Sequence, residues 1–142
     1  MFSDTDLLFR VPEKSVLDHV SGGFARNVAI LVLAEPGYPG NWPFLTKVLA
    51  AAQLNLEKDT LFAEIHPDDR ITFLPLVKEK HPGHILVFGL LPNQLGFTID
   101  MPLYQPQFFY GSAFLFADRL SALEPDKARK AKLWQALQLL FL

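Results

Sequence analysis

The 142-residue chain has no cysteine, which excludes disulfides and thiolate metal sites and makes a cytoplasmic setting the expectation. It also lacks a long hydrophobic run. The longest, Val28 to Ala34, has the length of a strand, whereas a bilayer span needs roughly 18–20 apolar residues. Membrane insertion is therefore not expected. The opening "MFSDTDLLFRVPEK" leads with acids and shows no small-residue cleavage site, unlike a signal peptide. A basic surplus is missing too. Thirteen Lys and Arg stand against fifteen Asp and Glu, a net charge of −2, so strong direct binding to nucleic-acid phosphates is not expected. Neither glycine-rich phosphate motif, G-x-x-x-x-G-K-[ST] nor G-x-G-x-x-G, can be read in the Gly/Pro-rich loop at 35–41.

What is present is apolar: half of the residues are hydrophobic, and thirteen are phenylalanine. The length suits one domain, 1–142, with an N-terminal arm over 1–14 and an α/β body over 15–142. "EKSVLDHV" (13–20) predicts a short helix stopped by Gly22-Gly23. Val28 to Leu33 is apolar on both faces, as a central parallel strand requires. Asn41 is a suitable N-cap for a helix in which Trp42, Phe44, Leu45, Val48, Leu49 and Ala52 share one arc about 160° wide. "DTLFAEI" (59–65) predicts a second strand, and His66-Pro67-Asp68-Asp69 a turn into a helical stretch that Pro75 ends or kinks. "HILVFGL" (84–90) predicts a third strand and "QFFYG" (107–111) a fourth. Pro125 and Asp126 then open a helix whose stripe is Leu133, Trp134, Leu137, Leu140 and Phe141. Strands alternating with helices call for a mainly parallel sheet covered on both faces.

Chemistry concentrates at few places. The loop Glu35-Pro36-Gly37-Tyr38-Pro39-Gly40-Asn41 leaves the carboxyl end of the first buried strand, where open α/β sheets bind ligands. Glu35 is a candidate general base there, set against a solvated loop acid beside turn-forming glycines and prolines. Gly111 and Ser112 occupy a predicted strand end, where a nucleophile sits, yet no G-x-S-x-G surrounds Ser112 and a turn serine fits as well. His19, His66, His81 and His84 have no metal-ligand spacing, so no metal and no cofactor are expected. Lys127, Arg129, Lys130 and Lys132 encircle their helix instead of lining one face. Phe108, Phe109, Tyr110, Phe114 and Phe116 fall within nine residues. Core filling accounts for some of them, and an exposed remainder would mark a protein interface. The apolar Leu7, Leu8 and Phe9 of the arm are interface candidates for the same reason, docking on a partner, on a second copy or on the body.

Several stretches are similar to the psi subunit of bacterial DNA polymerase III. These are "FLTKVLAAAQLNLEKDTLF", "GLLPNQLG" and the C-terminal "FADRLSALEPDKARKAKLWQAL". The family's strand is followed by a helix ending L-x-A-L/I, an acid-bearing turn and a second strand, and its chain closes with a Pro-initiated helix carrying L-W-x-x-L/I. Leu49-Ala50-Ala51-Ala52, Lys58-Asp59, Leu133-Trp134 and Leu137 occupy those places. The resemblance implies the three-layer fold of uracil-DNA glycosylases. Those enzymes place an acid, a proline and an aromatic after the first core strand, and Glu35-Pro36-Gly37-Tyr38 is a degenerate echo of that loop. Their second motif, H-P-S-P after the last core strand, is compared with Gly111-Ser112-Ala113-Phe114, which has no histidine.

The expected fold is thus a three-layer α/β/α sandwich with a mainly parallel four-stranded central sheet, uracil-DNA glycosylase-like. The resemblance to psi implies a non-catalytic subunit of the replication machinery that binds a clamp-loader or another replication protein. In that family an arm engages the clamp loader, and the arm of this chain, without a tryptophan, departs from it. Two alternatives stay open: a small uracil-DNA glycosylase-superfamily enzyme using Glu35 and Tyr38, and an interaction module unrelated to replication. A homodimer is the other expected partnership.

Overall fold

A computed structural model describes residues 14–15, 22–37, 42–69, 71–97 and 101–142. Its main sheet holds β2 (Val28–Leu33), β3 (Thr60–Ile65), β5 (His84–Phe88), β6 (Gln107–Phe109) and β7 (Ser112–Ala117) in the order β3-β2-β5-β7-β6. β3, β2, β5 and β7 are parallel, and β6 joins the β7 edge antiparallel. β2 is therefore interior, as its doubly apolar sequence demands. A separate pair joins β1 (Lys14–Ser15) to β4 (Ile71–Thr72) in parallel. Helices α1 (Pro43–Ala51), α2 (Leu56–Asp59), α3 (Leu74–Lys80), α4 (Leu120–Leu123) and α5 (Lys127–Phe141) complete the described elements, with a 3-10 turn at Pro92–Leu95.

Alternation along each strand divides the core between the two faces of the sheet. Ala29, Leu31, Ile85, Val87, Phe114 and Phe116 pack with Leu76 and Val77 of α3 on one face. Val28, Ile30, Val32, Leu86, Phe88 and Leu115 meet Leu45 and Leu49 of α1 and Leu133 and Leu137 of α5 on the other. The predicted arc of α1 is the side that packs: Leu45, Leu49 and Ala52 are buried, while Thr46, Lys47 and Gln53 are exposed. After α1, Asn55 Oδ1 accepts the N–H groups of Glu57 (3.0 Å) and Lys58 (2.8 Å), and the Asp59 carboxylate accepts that of Asn55 (2.8 Å). The acid of this turn thus closes a reciprocal cap that starts α2 and feeds β3.

The sheet has five strands where four were expected, because "QFFYGSAFLFA" folds into two. Tyr110 and Gly111 both take positive φ, 53° and 80°. A two-residue turn of that kind reverses the chain with the twist of a hairpin. The fourth parallel strand is therefore Ser112–Ala117, and Gln107–Phe109 is its antiparallel edge partner. Pro75 does not end a helix but lies in the first turn of α3, where a missing N–H costs nothing. The N-cap residue of α1 is Trp42, with Pro43 opening the helix, and not Asn41. The helix expected over 13–20 fails at Lys14 and Ser15, which are extended, so the boundary drawn between arm and body at residue 14 cuts β1. The remainder of the arm, including Leu7, Leu8 and Phe9, lies outside the described residues, as do Tyr38, Gly40 and Asn41.

Candidate functional site

The carboxyl ends of β2, β5 and β7 define the edge where a ligand crevice is expected. β2 hands over to Ala34, whose N–H donates to Ile65 O at 2.8 Å, and then to half-buried Glu35. Across the sheet, β7 is followed by Asp118, Arg119 and the short α4. Glu35 reaches this segment. Its Oε2 accepts the Ser121 N–H at 3.2 Å, and its Oε1 accepts the Ser121 hydroxyl. Both carboxylate oxygens are thus engaged at the first turn of α4, where N–H groups lack partners within the helix. Glu35→Ala is expected to cost about 1–2 kcal/mol of stability, read as a lower urea midpoint. An unchanged midpoint would show that this contact contributes nothing to the fold.

Between these strands, β5 ends at Gly89, whose N–H donates to Ala117 O at 2.9 Å and whose φ is +84°. A Cβ at Gly89 would stand 2.9 Å from Arg119 Cα and 3.1 Å from Leu33 Cβ. The chain after β7 therefore lies directly over the end of β5. Pro36 and Gly37 of the loop are exposed. Gly111 and Ser112 belong elsewhere. Gly111 precedes β7 and Ser112 opens it, so both stand at the amino end of the parallel strands, the full length of the sheet from Glu35. The Ser112 hydroxyl is buried and donates to Pro82 O at 2.6 Å, a structural bond and not a nucleophile's setting. The segment that does follow the last parallel strand is Asp118–Ser121, and sequence reasoning missed it because it placed that strand too early.

A second cluster missed from sequence flanks Asp118. The Tyr104 hydroxyl donates to Asp118 Oδ2 at 2.5 Å, and Arg129 Nε stands 3.6 Å from the same oxygen and 3.4 Å from Asp126 Oδ2. Burial, reinforced by the Asp118 carboxylate, pushes the Tyr104 hydroxyl well above its ordinary range. The phenol stays protonated and acts as a donor. Tyr104, Asp118 and Arg129, with Lys132, line a depression of about 470 Å³ beside α5. Asp126 caps α5 by accepting the Arg129 N–H at 3.1 Å, so Arg129 is drawn into the helix start. Three of the four basic residues near that start divide between two sides, Arg129 and Lys132 in this depression and Lys130 in a groove against α1.

The aromatic segment also divides. Phe114 and Phe116 are fully buried and leave the set of interface candidates. Phe73 and Phe97 stack at 4.4 Å, and Phe114 meets both edge-on at 5.5 and 5.2 Å. Phe109 is half-buried against Phe97 and Phe114. Phe108 and Tyr110 remain 75% and 66% exposed at the hairpin tip. Phe109 faces the α3 side, so its neighbour Phe108 faces the opposite side, while the Tyr110 ring lies 5.6 Å from that of Phe73 on the α3 side.

At the amino end of the sheet, His84 is half-buried with its ring 4.4 Å from that of Phe141. Burial holds its pKa below the ordinary 6.5 and the Arg26 charge adds to that, while the Leu140 carbonyl opposes them. Because the folded pKa lies below the unfolded one, the unfolded chain binds the proton more readily. The contribution of neutral His84 is therefore full above about pH 6.5 and is lost as pH falls through the interval down to the folded pKa. Urea midpoints between about pH 7.5 and pH 5 should fall with acidification, and His84→Gln should flatten part of that slope. An equal slope in the variant would assign it to other groups.

Among the described residues no three His, Cys, Asp or Glu side chains gather as a metal ion requires, and no helix is long and apolar enough to cross a membrane. No family model matches the chain, and no curated protein matches it significantly.

Proposed function

We propose that the chain is a non-catalytic protein-interaction subunit resembling the psi subunit of bacterial DNA polymerase III, on a fold like that of uracil-DNA glycosylases. One observation carries this reading: both oxygens of Glu35, the acid placed where such an enzyme would hold its water, are engaged by Ser121. Gly89 adds to it by its close contact with Arg119 and Leu33 at the neighbouring strand end. Base excision needs an extruded base, a held water and a stabilised anion, and a structurally bonded carboxylate is poorly placed for the second. Four parallel strands with helices on both faces are the frame that the resemblance requires. The exposed rings of Phe108 and Tyr110 favour a surface that meets protein.

The test uses the tagged full chain expressed in its native cell. Clamp-loader subunits or other replication proteins should co-purify with it, and uracil-containing single- and double-stranded DNA should stay intact in its presence. Recovery of no replication protein would remove the replication reading. Excision of uracil that Glu35→Gln abolishes would replace it with an enzyme. Duplex DNA should bind only weakly, since the basic residues of α5 point to two sides. Even four phosphate contacts would give a log–log salt slope of roughly −3 to −4, which anisotropy titrations would detect.

A further inference from the structure

The groove between α1 and α5 carries an inference that rests on the interaction reading and specifies one partner surface. Both helices begin at the carboxyl end of the sheet and run toward its amino end, so they lie side by side with roughly parallel directions on one face. Between them the surface opens into a groove of about 510 Å³. Buried Leu133 and Leu137 form its floor, and half-buried Phe44, Val48 and Trp134 form its walls. Side chains of this size left half-covered on two adjacent helices form an apolar trough, not scattered surface residues.

The rim has a definite charge. Lys47 stands on the α1 wall and Lys130 on the α5 wall, and the acid of the lining is Glu124, just before Pro125. The lining thus carries two positive charges and one negative, on a chain whose net charge is −2. Apolar walls between opposed lysines match an amphipathic helix whose apolar stripe is flanked on both sides by carboxylates. The length agrees: α1 has nine residues, about 13 Å at 1.5 Å per residue, which accepts anchors at i, i+3 or i+4, and i+7.

We infer that the α1–α5 groove is a docking site for an acidic amphipathic helix of a protein partner. The apolar stripe of that helix covers Phe44, Val48 and Trp134, and its flanking carboxylates meet Lys47 and Lys130. The opposed charges raise its rate of encounter and discriminate against a helix with basic flanks.

The probe is a synthetic amphipathic helix with leucines on one face and glutamates along both flanks, compared with the same peptide carrying lysines at the flanks. Binding to the full chain is followed by peptide anisotropy and by indole fluorescence, to which Trp134 reports from the groove wall. The acidic peptide should bind at least tenfold more tightly than the basic one. The double variant Lys47→Glu/Lys130→Glu, altered only at the rim, should reverse that order while keeping its urea midpoint. Equal affinities, no binding of either peptide, or an order unchanged in the double variant would overturn the inference. So would tighter binding of a peptide of residues 1–13, which would make the chain's own arm the occupant. A concentration-dependent dimer broken by the double variant would make the occupant a second copy. In the native cell, replication proteins that co-purify equally with wild type and double variant would remove the groove assignment and leave the proposed function standing.

Discussion

Phe114→Ala should destabilise the fold by about 3–5 kcal/mol, the usual cost of emptying a fully packed phenylalanine site. The ring has no exposed surface and closes the edge of the Phe73–Phe97 stack, with Phe109 against it. Its removal takes a partner from three other rings and leaves a cavity in the core on the face that α3 covers. Phe108→Ala, six residues earlier in the same hairpin, should change the stability by no more than about 0.5 kcal/mol, as surface substitutions do. Its effect belongs to association: at a well-packed interface centre an aromatic truncation costs about 2 kcal/mol or more, roughly thirtyfold in affinity. Equilibrium unfolding of the two variants separates the cases, and equal losses of stability would refute the division of the segment into core and surface.

Gly89→Ala has the second largest expected effect. The position combines φ of +84° with a neighbour that is backbone, Arg119 Cα, at 2.9 Å from the added Cβ, and the Arg119 Cβ is closer still at 2.7 Å. A positive φ alone costs a non-glycine residue of order 1–3 kcal/mol, and here the segment after β7 must also move away. A loss of about 3 kcal/mol or more is expected. Because Arg119 immediately precedes α4, the displacement should be felt at Ser121 and hence at Glu35. Hydrogen exchange at the α4 amides would report it as faster opening than at the β2 amides. Gly111→Ala provides the contrast: its φ is +80° but nothing lies within 4 Å of an added Cβ, so strain is the whole cost there. Equal losses at the two glycines would show that the crowding over β5 has no energetic weight.

What the residues determined alone are the elements whose signal is local. Val28–Leu33 is apolar on both faces, so it had to be buried between two neighbours, and it is. The arc of α1 and the stripe of α5 follow from helical spacing, and the buried faces are those the spacing selects. The Pro125-Asp126 start of α5 is legible because a cap needs only residues three apart.

The rest was decided by contacts between segments far apart in the chain. Tyr110-Gly111 carries its turn signal in sequence, yet whether the runs on either side pair with each other or with separate neighbours depends on the strand already beside them. That choice split one expected strand into β6 and β7 and moved Gly111 and Ser112 to the opposite end of the sheet from Glu35. Glu35 meets Ser121 eighty-six positions away, and Tyr104 meets Asp118 across fourteen. No periodicity reports such pairs, because side-chain hydrogen bonds across the sheet's end depend on which strands end side by side. The groove between α1 and α5 is of the same kind: each helix shows its apolar stripe in sequence, but only their placement on one sheet face leaves a gap between them. Local spacing determines what each element buries; the order of strands determines what stands next to it.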